Sequence, residues 1–205
     1  MSKFKLGILI SGNGSNMQAI IDNINTNTLN AEISIVISDN KEALGLKRAE
    51  QAGIKSIYIN PGKFKTKLEP EIEQEYINCL KEHNVDLVCL AGFMRIIKDS
   101  FINSFPNKII NIHPALLPSF PGLNAQKQAF DYSVKVSGCT VHFVDNKIDN
   151  GPIIMQKTVP VLDNDTEESL KQKILEQEHK LYSKCIQLIA DKKIKIEKRK
   201  VTILS

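Results

Sequence analysis

The chain alternates short apolar runs with stretches whose apolar residues recur every three or four positions. Phe4 to Ile10 is an apolar run of strand length, and Ile33 to Ser38, Ile54 to Ile59, Val85 to Ala91 and Ile109 to Ile112 repeat it. Between them, Asn16 to Ile24 sets Met17, Ile20, Ile21 and Ile24 on one helical face. Glu42 to Ala52 reads as a helix closed by Gly53, and Pro70 to Glu82 as a helix with proline in its first turn. Strands separated by helices build parallel, right-handed βαβ units, and a nearly all-apolar strand such as Val85 to Ala91 is buried on both faces. After residue 135 the pattern changes. Ser137 to Val144 and Ile153 to Val159 are divided only by a turn rich in Asp, Asn and Gly, which predicts an antiparallel hairpin. Glu167 to Ala190 reads as one long helix, and the Lys- and Ile-rich end as a short hairpin. The expected class is therefore α/β, Rossmann-like: a mostly parallel sheet flanked by helices, with a late antiparallel hairpin and a long C-terminal helix.

Composition narrows the function. At 205 residues, with 42% apolar and 24% charged positions, the chain is sized for one α/β domain. The net charge of +4 is small, and the lysine cluster around Lys192 to Lys200 reads as a solvated tail strand. With no Trp and 6% aromatic residues, a basic face with base-stacking aromatics is not expected, so no nucleic-acid partner is predicted. The N-terminal apolar run is too short for a signal peptide or a membrane span. Cys79, Cys89, Cys139 and Cys185 form no C-x-x-C pair and read as free thiols of a reducing compartment, which predicts a cytoplasmic protein. The four histidines are scattered without ligand spacing, so no metal is expected. Of these, His83 reads as solvated and His179 as a surface-helix residue.

Three segments carry candidate chemistry. In Asn111-Ile112-His113-Pro114 the strand period of two turns Asn111 and His113 to the same side, and Pro114 then stops the ladder. An amide that can donate to an oxyanion thus stands beside an imidazole that titrates near neutrality, a pairing suited to acyl-group chemistry. Ser11-Gly-Asn-Gly-Ser-Asn16 joins the first strand to the first helix; it reads either as a plain tight turn or as a phosphate site at a helix N-terminus. The turn Asp145-Asn-Lys-Ile-Asp149-Asn-Gly-Pro152 reads either as turn chemistry alone or as the source of a carboxylate for His113, which would raise the pKa of the ring. His142 lies on the following strand and either lines a cleft or is packed.

Together, Ile10 to Asn16, Ala91 to Ile96, Asn111 to Pro118 and Gly138 to Val144, with Asp149 and Gly151-Pro152, closely resemble the phosphoribosylglycinamide formyltransferases of purine biosynthesis. The resemblance runs from about residue 4 to about residue 190. It implies the formyltransferase fold over 1–205 as a single domain, with a nucleotide-phosphate-binding half (1–108) and a folate-binding and catalytic half (109–205). It implies formyl transfer from 10-formyltetrahydrofolate as co-substrate to glycinamide ribonucleotide, without metal, by a monomer or homodimer. Asn111, His113 and Asp149 match the catalytic trio. Gly14, Ser15 and Asn16 match the phosphate loop, and Glu178 a carboxylate that contacts the nucleotide. Met94, Arg95, Ile96 and Ile97 match the folate pocket, where backbone groups serve and Arg95 need not act through its charge. Lys67, Asn111 and His142 complete the folate side.

Two departures stand out. Asn150 replaces a glycine common in the turn, an exchange expected to survive because Asn tolerates left-handed backbone angles, and Gly122 to Gln126 lacks histidines found in some relatives. Methionyl-tRNA formyltransferases carry a further C-terminal domain and formyltetrahydrofolate deformylases a further N-terminal one, so the nucleotide-formylating branch is the expected one. A non-catalytic phosphate- or nucleotide-binding module is the rival of another class.

Overall fold

A computed structural model of the chain describes residues 3–204. It divides into two compact units, Met1–Ile110 and Asn111–Ser205.

The first unit holds β1 (Phe4–Ile10), α1 (Ser15–Asn25), β2 (Ala31–Ser38), α2 (Leu44–Gln51), β3 (Ser56–Tyr58), α3 (Pro70–Glu82), β4 (Leu87–Leu90) and α4 (Asp99–Ser104). β1 pairs in parallel with β2 on one side and with β4 on the other, and β2 pairs in parallel with β3. The predicted βαβ alternation is therefore present. Leu6, Ile8, Leu9 and Ile10 of β1, Ile35 to Ile37 of β2 and Leu87 to Leu90 of β4 are buried, as are Met17, Ile20 and Ile21 of α1. Each such side chain contributes about 1.5–3 kcal/mol relative to exposure. Gly7 sits in this layer because α3 presses against it: a Cβ there would stand 2.4 Å from Leu80 Cδ2. Because the chain steps from β1 to β2 to β3 in one direction and then returns to β4 beyond β1, the loops after β1 and β4 diverge at a topological switch point. In open α/β sheets that is where ligands bind.

The second unit holds most of β5 (Ile109–His113), which begins in the first unit, followed by α5 (Ala125–Asp131), β6 (Val136–Phe143), β7 (Ile153–Pro160), α6 (Glu167–Ala190), β8 (Ile194–Glu197) and β9 (Lys200–Ile203). β6 and β7 form the expected antiparallel hairpin, with a register shift between Val141 and His142. α6 opens on a capping box, Thr166 and Ser169 exchanging bonds of 3.1 and 2.9 Å, and buries Leu170, Ile174, Tyr182, Cys185 and Ile186. β8 and β9 form a separate two-stranded sheet, so the lysine-rich end is the predicted hairpin. The main sheet has the strand order β3-β2-β1-β4-β5-β6-β7.

Two helices lie where no element was predicted. α4 has six residues and α5 seven, too few for a 3.6-residue period to declare itself. α4 is held instead by burial of Phe101 and Phe105, and by the buried Glu73 of α3, which accepts the Ser100 hydroxyl at its first turn. α5 buries Ala125 and Ala129 and starts after Asn124 in a left-handed conformation (φ 55°).

Candidate active site

At the end of β5 the pleat sends Asn111 and His113 towards one carboxylate, Asp149. His113 Nδ1 lies 3.2 Å from Asp149 Oδ2, and Asn111 Nδ2 donates to Oδ1 at 3.3 Å. Asp149 Oδ2 also accepts the Gly122 N–H at 2.8 Å. The turn between β6 and β7 delivers this carboxylate through a left-handed residue, Asp149 itself (φ 47°). The turn accommodates Asn150 without a left-handed angle at that residue: its side chain donates to Asp145 at 2.8 Å and braces the turn from within. The C-terminal hairpin braces the same turn from outside, Arg199 Nη2 donating to the Asn150 carbonyl at 2.7 Å.

His142 is buried against the trio rather than solvated. Its Nδ1–H donates to the Phe143 carbonyl at 2.8 Å, which leaves Nε2 to face the Asn111 amide at 3.4 Å and Asp149 Oδ1 at 3.7 Å. His113 Nε2–H donates to the Phe120 carbonyl at 2.8 Å. The ring nitrogens of His113 and His142, the Asn111 amide nitrogen and both Asp149 oxygens therefore face partners inside the protein. The two Asn111 bonds are the longest hydrogen bonds of the cluster, so the amide is the donor most readily released to an incoming oxygen.

The electrostatics differ from expectation in one respect. Burial is the largest influence on His113 and lowers its pKa; the Asp149 charge and the Phe120 carbonyl raise it, but not enough to offset burial. The expected upward shift is thus reversed. For Asp149, burial acts upward, and the neighbouring His142 and His113 rings and the Gly122 N–H outweigh it, so its pKa lies below the ordinary value. The pair is a buried base beside a firmly ionised carboxylate. A proton arriving on Nδ1 would sit between Asp149 and a ring whose other nitrogen already faces a carbonyl.

In the first unit, the loop after β1 turns at Gly14 (φ 72°), which precedes α1. Only a residue without a side chain fits, since a Cβ on Gly14 would stand 2.7 Å from the Cα of Gly45. α1 has no side-chain cap and no acidic residue in its first turn, so no carboxylate of that turn competes at the positive end of the helix. The loop rests on α2: Gly45 N–H donates to the Gly12 carbonyl at 3.1 Å, and Arg48 holds Asn13 through its carbonyl (3.0 Å) and side-chain oxygen (2.9 Å). Gly45 and Arg48 were not expected. Nothing in their local sequence marks them, because their role comes from packing against a loop more than thirty residues away.

The loop after β4 presents Met94 and Ile96 half-exposed, while Ile97 is buried. Arg95 Nε pairs with the buried Asp39 at 2.5 Å, and its Nη1 donates to the carbonyls of Phe64 (2.6 Å) and Lys65 (2.5 Å). The Arg95 charge is thus engaged inside the protein, which leaves backbone groups to face a ligand. Ile96 N–H donates to the Thr66 carbonyl at 2.8 Å, and Lys67 bridges to Ile96 and lays its ammonium 4.3 Å from the centre of the Phe64 ring. Glu178 is buried on α6. Its charge adds to burial in pushing the Cys139 thiol up to about 12.

The family model described as formyl transferase matches residues 4–186 of the chain. The chain is 42% identical over 182 residues to the phosphoribosylglycinamide formyltransferase of Bacillus subtilis, covering 89% of this chain and 92% of that protein. It is 44% identical over 188 residues to the human trifunctional purine biosynthetic protein adenosine-3, covering 92% of this chain. It spans only 18% of the human protein, and 14% of the Drosophila melanogaster protein of the same name. Among solved structures, the glycinamide ribonucleotide transformylase 1 of Symbiobacterium toebii superposes with a TM-score of 0.94 at 45% identity, covering 99% of this chain and 95% of that one.

Proposed function

Because the chain belongs to the formyl transferase family, we propose that it moves the formyl group of 10-formyltetrahydrofolate to the amine of glycinamide ribonucleotide, yielding formylglycinamide ribonucleotide and tetrahydrofolate for purine biosynthesis. The observation that carries this reading is the convergence of Asn111 and His113 on the Asp149 carboxylate, at the end of a strand that runs into Pro114. The nucleotide phosphate sits on the N–H groups of Gly14, Ser15 and Asn16. Following the family pattern, we assign backbone groups of Met94 to Ile97 and Lys67 to folate binding, likewise Asn111 and His142 of the second unit, and Glu178 to nucleotide contact.

Binding both substrates makes the reaction effectively unimolecular, which is worth a large part of the barrier. The neutral amine attacks the formyl carbon, a C–N bond forms, and the carbonyl oxygen becomes an oxyanion. Asn111 gives up one of its long contacts and donates to that oxygen, and His113 exchanges the Phe120 carbonyl for it. The proton released by the attacking nitrogen passes to the His113–Asp149 pair and from there to N10 of the folate. The bond from N10 to the formyl carbon then breaks. No covalent enzyme intermediate is required. The test is folate absorbance in the presence of 10-formyltetrahydrofolate, with and without glycinamide ribonucleotide. Nucleotide-dependent consumption of the donor is expected; consumption without nucleotide, or none at all, would overturn the proposal.

A further inference from the structure

Between the phosphate loop and the folate loop stands Ser11, a residue that the reaction just described does not use. It is the first residue after β1, and it reaches across to the segment that follows the neighbouring strand β4. Its N–H donates to the Gly92 carbonyl at 3.1 Å, and its hydroxyl oxygen accepts the Met94 N–H at 2.8 Å. Its own carbonyl accepts the Asn40 side-chain amide at 3.1 Å. Ser11 therefore belongs by sequence to the loop that ends in Gly14, Ser15 and Asn16, and by hydrogen bonding to the loop that contains Met94 to Ile97. Both loops lie at the switch point of the sheet, where β2 departs from β1 on one side and β4 on the other.

The rest of each loop is anchored separately. Gly45 and Arg48 of α2 hold Gly12 and Asn13, whereas Arg95 and Ile96 are held by Asp39 and by the 64–66 segment. Met94, between Gly92 and Arg95, is half-exposed and has its backbone N–H committed to the Ser11 hydroxyl. A ligand that stiffens the phosphate loop thus fixes the acceptor that orients the Met94 peptide, and a ligand that seats on the Met94 peptide fixes the phosphate loop in return.

We propose that Ser11 is a positioning residue that couples the two substrate loops: nucleotide bound at Gly14 to Asn16 tightens folate binding at Met94 to Ile97, and folate tightens nucleotide binding by the same factor. This inference rests on the two-substrate reading above. The test uses tetrahydrofolate, which carries no formyl group, so that binding is measured without turnover. Its dissociation constant is determined calorimetrically with and without saturating glycinamide ribonucleotide, for the wild type, Ser11→Ala and Ser11→Thr. A coupling factor of about five-fold or more in the wild type, falling towards one in Ser11→Ala and returning in Ser11→Thr, is the expected result. A merely structural hydroxyl would weaken each ligand alone and leave the ratio unchanged. A ratio near one in the wild type, or one preserved in Ser11→Ala, would overturn the coupling while leaving the transferase reading intact; failure of either ligand to bind would overturn both. A second measurement needs no variant. Glycinamide ribonucleotide alone should slow hydrogen exchange at the Met94 amide, and unchanged exchange in the nucleotide-bound protein would count against the proposal.

Discussion

Replacing Asp149 by Asn removes a charge and one acceptor while preserving shape. In the native site Oδ2 accepts Gly122 N–H at 2.8 Å and Oδ1 accepts the Asn111 amide at 3.3 Å. An Asn side chain keeps a single oxygen. If that oxygen faces Gly122, the new NH2 confronts the Asn111 NH2; if it is reversed, the new NH2 confronts the Gly122 N–H. Either way one donor in a largely buried site loses its acceptor, which costs about 1–3 kcal/mol and, at about 2–4 °C per kcal/mol for a chain of this size, lowers the melting temperature by about 2–12 °C near pH 7. The kinetic effect is larger. The proton that His113 takes up would be left without its carboxylate, and losing an acid–base partner of this kind slows turnover by about 10²–10⁴-fold.

The pH dependence separates this account from general damage. Asp149 has a folded pKa below its ordinary 3.8, so its stabilisation is fully present above that value and is lost as pH falls through the folded value. His113 has a folded pKa below 6.5, so the unfolded chain binds that proton first and stability begins to fall below about pH 6.5; in the variant, which lacks the Asp149 charge that raises this pKa, it falls more steeply. The melting gap between wild type and Asp149→Asn should therefore hold from pH 8 to about pH 6.5, widen between about pH 6.5 and pH 5, and narrow below about pH 4. The assays are nucleotide-dependent folate absorbance and thermal unfolding across that range. Near wild-type turnover, or a gap that stays constant between pH 7 and pH 5, would refute the reasoning.

Gly14→Ala forces a Cβ to 2.7 Å from the Gly45 backbone at a φ of 72°. Nucleotide affinity measured by calorimetry without folate should fall by about ten-fold or more, given about 1–2 kcal/mol for the left-handed angle alone. Arg199→Ala removes the bond to the Asn150 carbonyl. A few-fold loss of kcat with an unchanged KM for the nucleotide is expected, and a change confined to KM would show that the C-terminal hairpin does not act through Asp149. Cys139 and Cys185 are buried with thiols pushed up to about 12, whereas Cys79 is half-buried and less strongly raised. Iodoacetamide at pH 8 should label Cys79 ahead of both, as read by peptide mass spectrometry; equal labelling would contradict the packing of β6 against α6.

What the sequence determined by itself follows from period and chain locality. Apolar runs and 3.6-residue repeats marked every strand of the parallel sheet, the late hairpin and the long helix, because those patterns are written into consecutive residues. The pleat alone put Asn111 and His113 on one side, and the glycines of the first loop marked a turn into a helix N-terminus. Only the tertiary structure brought Asp149 to 3.2 Å from His113, across 36 residues of chain, by way of a hairpin and a left-handed aspartate. Only burial decided that His113 is lowered rather than raised, since desolvation depends on everything packed around the ring. The short helices α4 and α5, the Gly45 and Arg48 floor and the Ser11 bridge were likewise hidden. Each is held by contacts between segments distant in the chain, and a local pattern carries no record of which distant segment will be its neighbour.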